Sequence, residues 1–218
     1  MRDQFLGDKT YSQNGDDMVI ACLFQQLRIY QPSYLDLGAY HPTDISNTAL
    51  LYSRGSRGVN VEPVPALHRE FVRMRPGDVN LNCAVAPRRG KLTMTMYLPK
   101  GGSGTFRPEW ATKVGNPAKG VQVEVDTYTL DEILDVHTNG QFPHFLSIDV
   151  EGMDEEILGS FDFSRRAPVV IDVEAFCGSD EAQRIRDTLE RAGFFFLMRC
   201  GHNCIYVRND QRERMFSC

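Results

Sequence analysis

Between residues 34 and 199, short apolar segments alternate with segments of helical spacing. This order predicts an α/β fold built on a single doubly wound, mostly parallel sheet. Two further observations agree. Parallel neighbours need a crossover between them, and each predicted helix stands where a right-handed crossover is required. The chain then closes on FFFLMRC and NCIYVR around Gly201-His202, which reads as an antiparallel C-terminal hairpin. A length of 218 residues suits one domain, 1–218, and no linker, repeat or low-complexity tract divides it.

The elements follow from local signals. DDMVIACLFQQL (16–27) is amphipathic and predicts a helix packed across the sheet, and YLDLG (34–38) is the first convincing strand. SNTALLYSRG (46–55) predicts a helix with Ser46 as N-cap and Gly55 as its stop. GVNVEP (58–63) is a strand, and the helix after Pro65 ends at Pro76-Gly77. VNLNCAVA (79–86) predicts a third strand, and KLTMTMYL (91–98) alternates like a half-exposed one. The Gly/Pro-rich stretch that follows is of a length that is usually functional or disordered. VQVEVDTY (121–128) then leads into the helix TLDEILDVH (129–137). FLSIDVEG (145–152) leads into MDEEILGSF (153–161), and PVVIDVEA (168–175) into SDEAQRIRDTLERAG (179–193).

Composition narrows the function. With 42% hydrophobic and 24% charged residues, the chain reads as an ordinary soluble protein. Its 24 Lys and Arg against 29 Asp and Glu give a net charge of -5, with no clustered positive surface to neutralise phosphates, so nucleic acid is not expected as a partner. The N-terminus has no apolar signal core and no run suits a membrane span. The six cysteines read as reduced thiols, so a cytoplasmic location is expected. Cys200-Gly-His202-Asn-Cys204 lacks the second ligand pair that a zinc site wants. A homo-oligomer is compatible with the sequence.

In an open parallel sheet the ligand binds beyond the carboxyl ends of the strands, near the reversal of strand order. The first strand ends in Asp36-Leu37-Gly38-Ala39-Tyr40-His41-Pro42, and the second in Glu62-Pro63. Glu62 stands 24 residues beyond Gly38, close to the spacing at which a carboxylate accepts both hydroxyls of a ribose. A dinucleotide turn wants three glycines aimed at a pyrophosphate. This turn has one, Pro42 removes a donor, and Asp36 would repel phosphate. S-adenosylmethionine (SAM) has no phosphate and carries two cationic groups, so it fits the turn better than NAD. Two later strands end in the same tripeptide, Asp149-Val150-Glu151 and Asp172-Val173-Glu174. Period-two alternation puts both acids of each tripeptide on one face, if the strand runs through them. A cation, a raised pKa or nearby donors must then compensate, or some of these acids simply open the following helices.

YSQNGDD (11–17), LDLGAYHP (35–42), SNTALLY (46–52), GVNVEP (58–63), DVNLNCAVA (78–86), VDTYTLDEIL (125–134), FLSIDVEGMDEEIL (145–158) and NCIYVR (203–208) together resemble, in order, the FkbM-type methyltransferases. The resemblance implies a Rossmann-like class I methyltransferase fold and SAM as donor. It also implies O-methylation of a small-molecule or glycan acceptor: a hydroxyl on a sugar, a glycan or a natural product. Carried across, Asp36 and Gly38 match the first SAM motif, Glu62 the ribose acid, and Asn82 with Cys83 and Ala84 the adenine-side strand. Gln13 and Asn47 are expected at the methionine end, and Asp149 and Glu151 beside the transferred methyl group. Ser56 departs from the family, where a Trp is expected. His202, in the hairpin turn, is a further candidate base.

A hydroxyl attacks poorly until it is deprotonated, so a base or a metal is needed. Asp149 is the expected base or principal ligand. Asp149 and Glu174 offer hard oxygens that would suit Mg²⁺ or Ca²⁺. Residues 99–120, with Phe106 and Trp110, are expected to lie over the acceptor as a lid. A SAM-binding module without catalysis is the alternative in another class, though it need not keep the acids at 149–151. A nucleotide-dependent oxidoreductase is disfavoured by Pro42 and the missing glycines.

Overall fold

A computed structural model describes residues 10–97, 103–105, 120–150 and 152–216. Most of the expected lid, with Phe106 and Trp110, lies outside these residues, as does Glu151. The described elements run α1 (Asp16–Gln26), β1 (Tyr34–Leu37), α2 (Ala49–Ser53), β2 (Gly58–Val61), α3 (Pro65–Met74), β3 (Val79–Leu81), β4 (Ala84–Val85), β5 (Gly90–Tyr97) and β6 (Ser103–Thr105). They continue with β7 (Gly120–Tyr128), α4 (Leu130–His137), β8 (Phe145–Ile148), α5 (Asp154–Ser160), β9 (Val170–Glu174), α6 (Asp180–Arg191), β10 (Phe194–Cys200) and β11 (Asn203–Arg208). A 3₁₀ turn (Asn209–Gln211) and α7 (Arg212–Phe216) follow.

Seven strands form the main sheet in the order β10-β11-β9-β8-β1-β2-β3, parallel except where β11 pairs with β9 and β10. This is the predicted α/β architecture with its antiparallel hairpin. The chain runs outward from β1 to β3 and then returns to place β8 on the other side of β1. The order therefore reverses between β1 and β8, where a crevice is expected.

Alternation along the strands fills both faces. Leu35, Leu37, Leu146, Ile148, Ile171 and Val173 pack with apolar side chains of α4, α5 and α6. Tyr34, Phe145, Val170 and Ile205 pack with Ile20, Leu23, Phe24 and Leu50 of α1 and α2. Thr129 and Glu132 start α4 with a reciprocal capping box, and the Ser179 hydroxyl accepts from the Ala182 N–H (3.0 Å) to start α6.

The α1/α2 face carries a row that no hydrophobic pattern would foretell. Asn80, Asn60, Asp36, Ser147 and Asp172 are register neighbours across β3, β2, β1, β8 and β9. Asn60, Asp36, Ser147 and Asp172 are all buried. Polar groups at such depth must be partnered. The partner for half of the row is Arg75, just past the end of α3 and 1% exposed. Its guanidinium donates to Thr48 Oγ1 and Ser46 Oγ (both 2.8 Å), to Asn60 Oδ1 (3.4 Å) and to the Pro42 carbonyl. Thr48 in turn donates to Asp36 (2.6 Å).

This arrangement corrects one local expectation. Ser46 does not cap α2, because its hydroxyl accepts from Arg75. The helix begins later, after Thr48, whose hydroxyl is likewise turned to Asp36 rather than to the helix N–H groups. A second correction concerns residues 79–86, which form two strands rather than one. Val79–Leu81 edges the main sheet, while Ala84–Val85 pairs with β7 in a second sheet of order β4-β7-β5-β6. Val64, Ala84, Met94, Met96 and Val125 make a small core of their own beneath that sheet. Among the described residues, no helix is long and apolar enough to cross a membrane.

Candidate functional site

Three strand ends meet at the reversal point. The N–H groups of Gly38 and Ala39 both donate to the Val61 carbonyl (3.0 and 3.1 Å), and the Asp149 N–H donates to the Leu37 carbonyl (3.0 Å). Gly38 has φ +75°, and a Cβ built on it would stand 1.9 Å from the Asp149 carbonyl oxygen. Only glycine combines that backbone with that approach. Above these ends opens a crevice of about 290 Å³.

Gln13, Asp36, Gly38, Asn47, Glu62, Asp149 and Glu174 all line it. Glu62 is 4% exposed and closes the β2 end from both sides: Oε2 accepts the Tyr40 N–H (2.8 Å) and Oε1 the Val64 N–H (2.7 Å). Asn47 leans towards Ser147, with Nδ2 at 3.4 Å from Oγ. Burial raises the Asp36 carboxyl above its usual range, and the Thr48 hydroxyl and the charge of Arg75 oppose that rise. Val64, Leu67, Cys83, Ala84, Val85 and Met94 give the crevice one apolar end, supplied by the junction of the two sheets.

Two sequence-predicted residues stand elsewhere. Asn82 is exposed, and its amide donates to the Glu62 and Pro63 carbonyls (2.9 and 3.0 Å). It braces the β2 turn, and its neighbours Cys83 and Ala84 reach the crevice instead. His202 is exposed at the hairpin turn with its ring against Phe176 (centroids 4.8 Å apart), outside the crevice lining. Its spacing from Cys200 and Cys204 therefore serves a turn. Glu151 lies outside the described residues. The Mg²⁺ or Ca²⁺ reading of Asp149 and Glu174 gains no support, because no group of three or more His, Cys, Asp or Glu side chains gathers as a metal site among the described residues.

Two residues near the site, Arg75 and Ile45, carry no local signal in the sequence. Arg75, at a helix end, reads as a solvated charge, and nothing local announces its burial. Ile45, which lines the crevice half exposed, sits at φ +52°, rare for a β-branched residue. Asp154 accepts from the Val150 and Gly152 N–H groups (3.1 and 3.3 Å), holding the turn after β8; burial pushes its carboxyl up to about 6 against those two donors. Behind the crevice, Asp172 is fully buried with Asn203 donating to Oδ2 (3.1 Å). Burial and then the charge of Asp16 hold its carboxyl well above the usual range, with Asp149 and Asp36 adding to the effect.

That last shift has a measurable consequence. A carboxyl whose folded pKa is raised contributes stability that is fully present below its unfolded pKa and is lost as pH rises through the folded value. Asp172→Asn is neutral at every pH, so we expect it to flatten this dependence and to be the more stable protein at pH 8. A gain of about 1 kcal/mol would raise Tm by about 2–4 °C in a chain of this size. Thermal melts of both proteins at pH 5 and pH 8 check this. A variant that melts below wild type at pH 8 would show that the Asp172 carboxyl stabilises the fold there and that its pKa is not raised.

The family model described as the methyltransferase FkbM domain matches residues 36–196. Three solved structures are similar to this chain. The first is a methyltransferase FkbM from Methylobacillus flagellatus KT, at 13% identity and TM-score 0.44 over 81% of this chain and 43% of that one, so this chain spans less than half its length. A precorrin-6y C5,15-methyltransferase from Geobacter metallireducens GS-15 aligns at 18% identity and TM-score 0.44, over 94% and 93% of the two chains. A 1,6-didemethyltoxoflavin-N1-methyltransferase from Burkholderia thailandensis, solved with 1,6-didemethyltoxoflavin and S-adenosylhomocysteine bound, aligns at 10% identity and TM-score 0.42, over 89% and 77%. No curated protein matches the chain significantly.

Proposed function

The chain belongs to the methyltransferase FkbM family, and from that premise we propose that it transfers a methyl group from SAM to a hydroxyl oxygen of a sugar, glycan or natural-product small molecule. The observation that carries the donor assignment is the crevice wall at the strand reversal. It has four carboxylates, one close-approach glycine and, among the described residues, no Lys, Arg or His. A phosphate-bearing dinucleotide is a poor match for that wall, and a cationic nucleoside is a good one.

Glu62 would accept the ribose hydroxyls, and the apolar end formed by Val64, Leu67, Ala84 and Met94 would receive the base. Gln13, Asn47 and the Gly38–Tyr40 backbone would take the amino-acid end. SAM supplies an electrophilic methyl group on a sulfonium. The protein holds the acceptor oxygen in line with it, and positioning of that kind is worth several kcal/mol. Asp149, at the β8 end, would take the hydroxyl proton.

Titration calorimetry with SAM and with NAD separates the methyltransferase reading from an oxidoreductase. Turnover of labelled SAM with a panel of glycans and small alcohols separates catalysis from binding alone. Glu62→Gln is expected to weaken SAM by about 1.5–3 kcal/mol, the range for hydrogen bonds to a charged group. Its Tm should also fall, since one of the Tyr40 and Val64 N–H groups would face an amide donor. Unchanged SAM affinity in the folded variant would remove Glu62 from the ribose.

A further inference from the structure

Four non-glycine residues stand at positive φ among the described residues. Two of them, Tyr40 (φ +56°) and Ile45 (φ +52°), belong to one loop and line the crevice. A left-handed backbone crowds an L side chain, a β-branched one most of all, and persists only where the surroundings over-determine it. This loop leaves β1 after Leu37 and enters α2 at Ala49. The Tyr40 N–H donates to Glu62 Oε2 (2.8 Å), and the Ser46 N–H to the Tyr11 carbonyl (2.9 Å). Arg75 grips the same loop from beneath. Its Nη2 donates to the Pro42 carbonyl and to Ser46 Oγ (2.8 Å), one on each side of Ile45, and its Nη1 donates to Thr48 Oγ1 (2.8 Å). The guanidinium also lies 5.2 Å from the Phe71 ring centroid and 5.5 Å from that of Tyr52. A lysine could supply the charge, but not two nitrogens aimed at separate acceptors.

We propose that Arg75 is a positioning residue for donor binding, holding the 40–46 loop in its left-handed form so that Tyr40 and Ile45 stand in the crevice wall before the donor arrives. The inference rests on the reading of the crevice as the donor site and adds to it a residue outside the crevice lining. Without the grip of Arg75 the loop relaxes to a less crowded backbone. The apparent affinity then falls with the fraction of molecules that keep the competent form. Glycine at position 45 adopts the left-handed backbone without crowding, so it removes the advantage of the relaxed form.

Titration calorimetry with SAM on the full chain tests this with Arg75→Lys, Ile45→Gly and the two together. Arg75→Lys should weaken SAM at least about tenfold. Ile45→Gly should weaken SAM slightly in the wild-type background, where only a side-chain contact is lost. In the Arg75→Lys background the same change should recover several-fold of the lost affinity. That reversal of sign marks a loop held against strain, since a general loss of structure would not depend on residue 45. Ser46→Ala removes one acceptor and keeps the arginine. Paired with Ile45→Gly in the same way, it should show the same reversal, and it decides the question if Arg75→Lys does not fold. Equal effects of Ile45→Gly in every background, or wild-type affinity in Arg75→Lys, would overturn the inference and leave the donor site standing. No SAM binding by the wild-type chain would overturn the donor site and the inference with it.

Discussion

Gly38→Ala is expected to lose more than about 3 kcal/mol of stability, a size that point substitutions reach only through a specific clash or strain, and to lose SAM binding. Two costs act together. The residue sits at φ +75°, where an L side chain costs about 1–2 kcal/mol. The added Cβ would then stand 1.9 Å from the Asp149 carbonyl oxygen and 2.9 Å from its carbon. Both neighbours are backbone, so no rotamer change relieves the contact. Relief requires β1 and β8 to part at the point where the Asp149 N–H is bound to the Leu37 carbonyl. Parting them would displace Asp149 and open the crevice floor. Gly159→Ala, inside α5, is the control: its Cβ would meet nothing within 4 Å, so it should be neutral or stabilising by up to about 1 kcal/mol. Urea unfolding of both variants with SAM calorimetry checks the pair. A Gly38→Ala protein within 1 kcal/mol of wild type that still binds SAM would show that the two strand ends have room to separate.

The parts of this site legible in the sequence are those written locally. Alternation gave the strands, a turn of glycine and proline marked the β1 end, and acids closing apolar runs marked the ends of β1, β2, β8 and β9. Five of the residues chosen on that basis, Asp36, Gly38, Glu62, Asp149 and Glu174, line one crevice, together with Gln13 and Asn47, which the family resemblance supplied. What stayed hidden depends on register between strands far apart in the chain. The row from Asn80 to Asp172 exists only because five strands align at one height. Arg75 is buried because that row and the 42–48 loop need a cation beneath them, and a sequence window over α3 shows only an arginine near a helix end, where it is ordinarily solvated. Ser46 misled for the same reason, since its choice of partner was decided by a residue 29 positions away. The placement of Asn82 has a narrower cause. Its strand breaks after Leu81, so the amide turns to the β2 turn while Cys83 and Ala84 continue into the crevice.

Asp149→Asn is expected to lower kcat by about 10²–10⁴-fold, the contribution of a positioned general base, while SAM affinity changes far less than kcat. Position argues for this residue over its neighbours. His202 is out at the hairpin turn, and Asp172 is fully buried behind the sheet end. Glu62 is committed to the Tyr40 and Val64 N–H groups. Asp149 is half buried at the reversal point, beside the one glycine that lets a ligand approach the strand ends. Its main chain is fixed by the bond from its N–H to Leu37, which the substitution leaves intact, so the variant should fold. A base and a metal ligand then differ in one respect. If Asp149 takes the proton itself, EDTA leaves turnover unchanged and no concentration of Mg²⁺ rescues the variant. If EDTA abolishes wild-type turnover and Mg²⁺ restores it, Asp149 and Glu174 act as ligands and the general-base role fails. An Asp149→Asn protein with the wild-type kcat would remove both roles, and the hydroxyl proton would have to leave by a group outside the described wall.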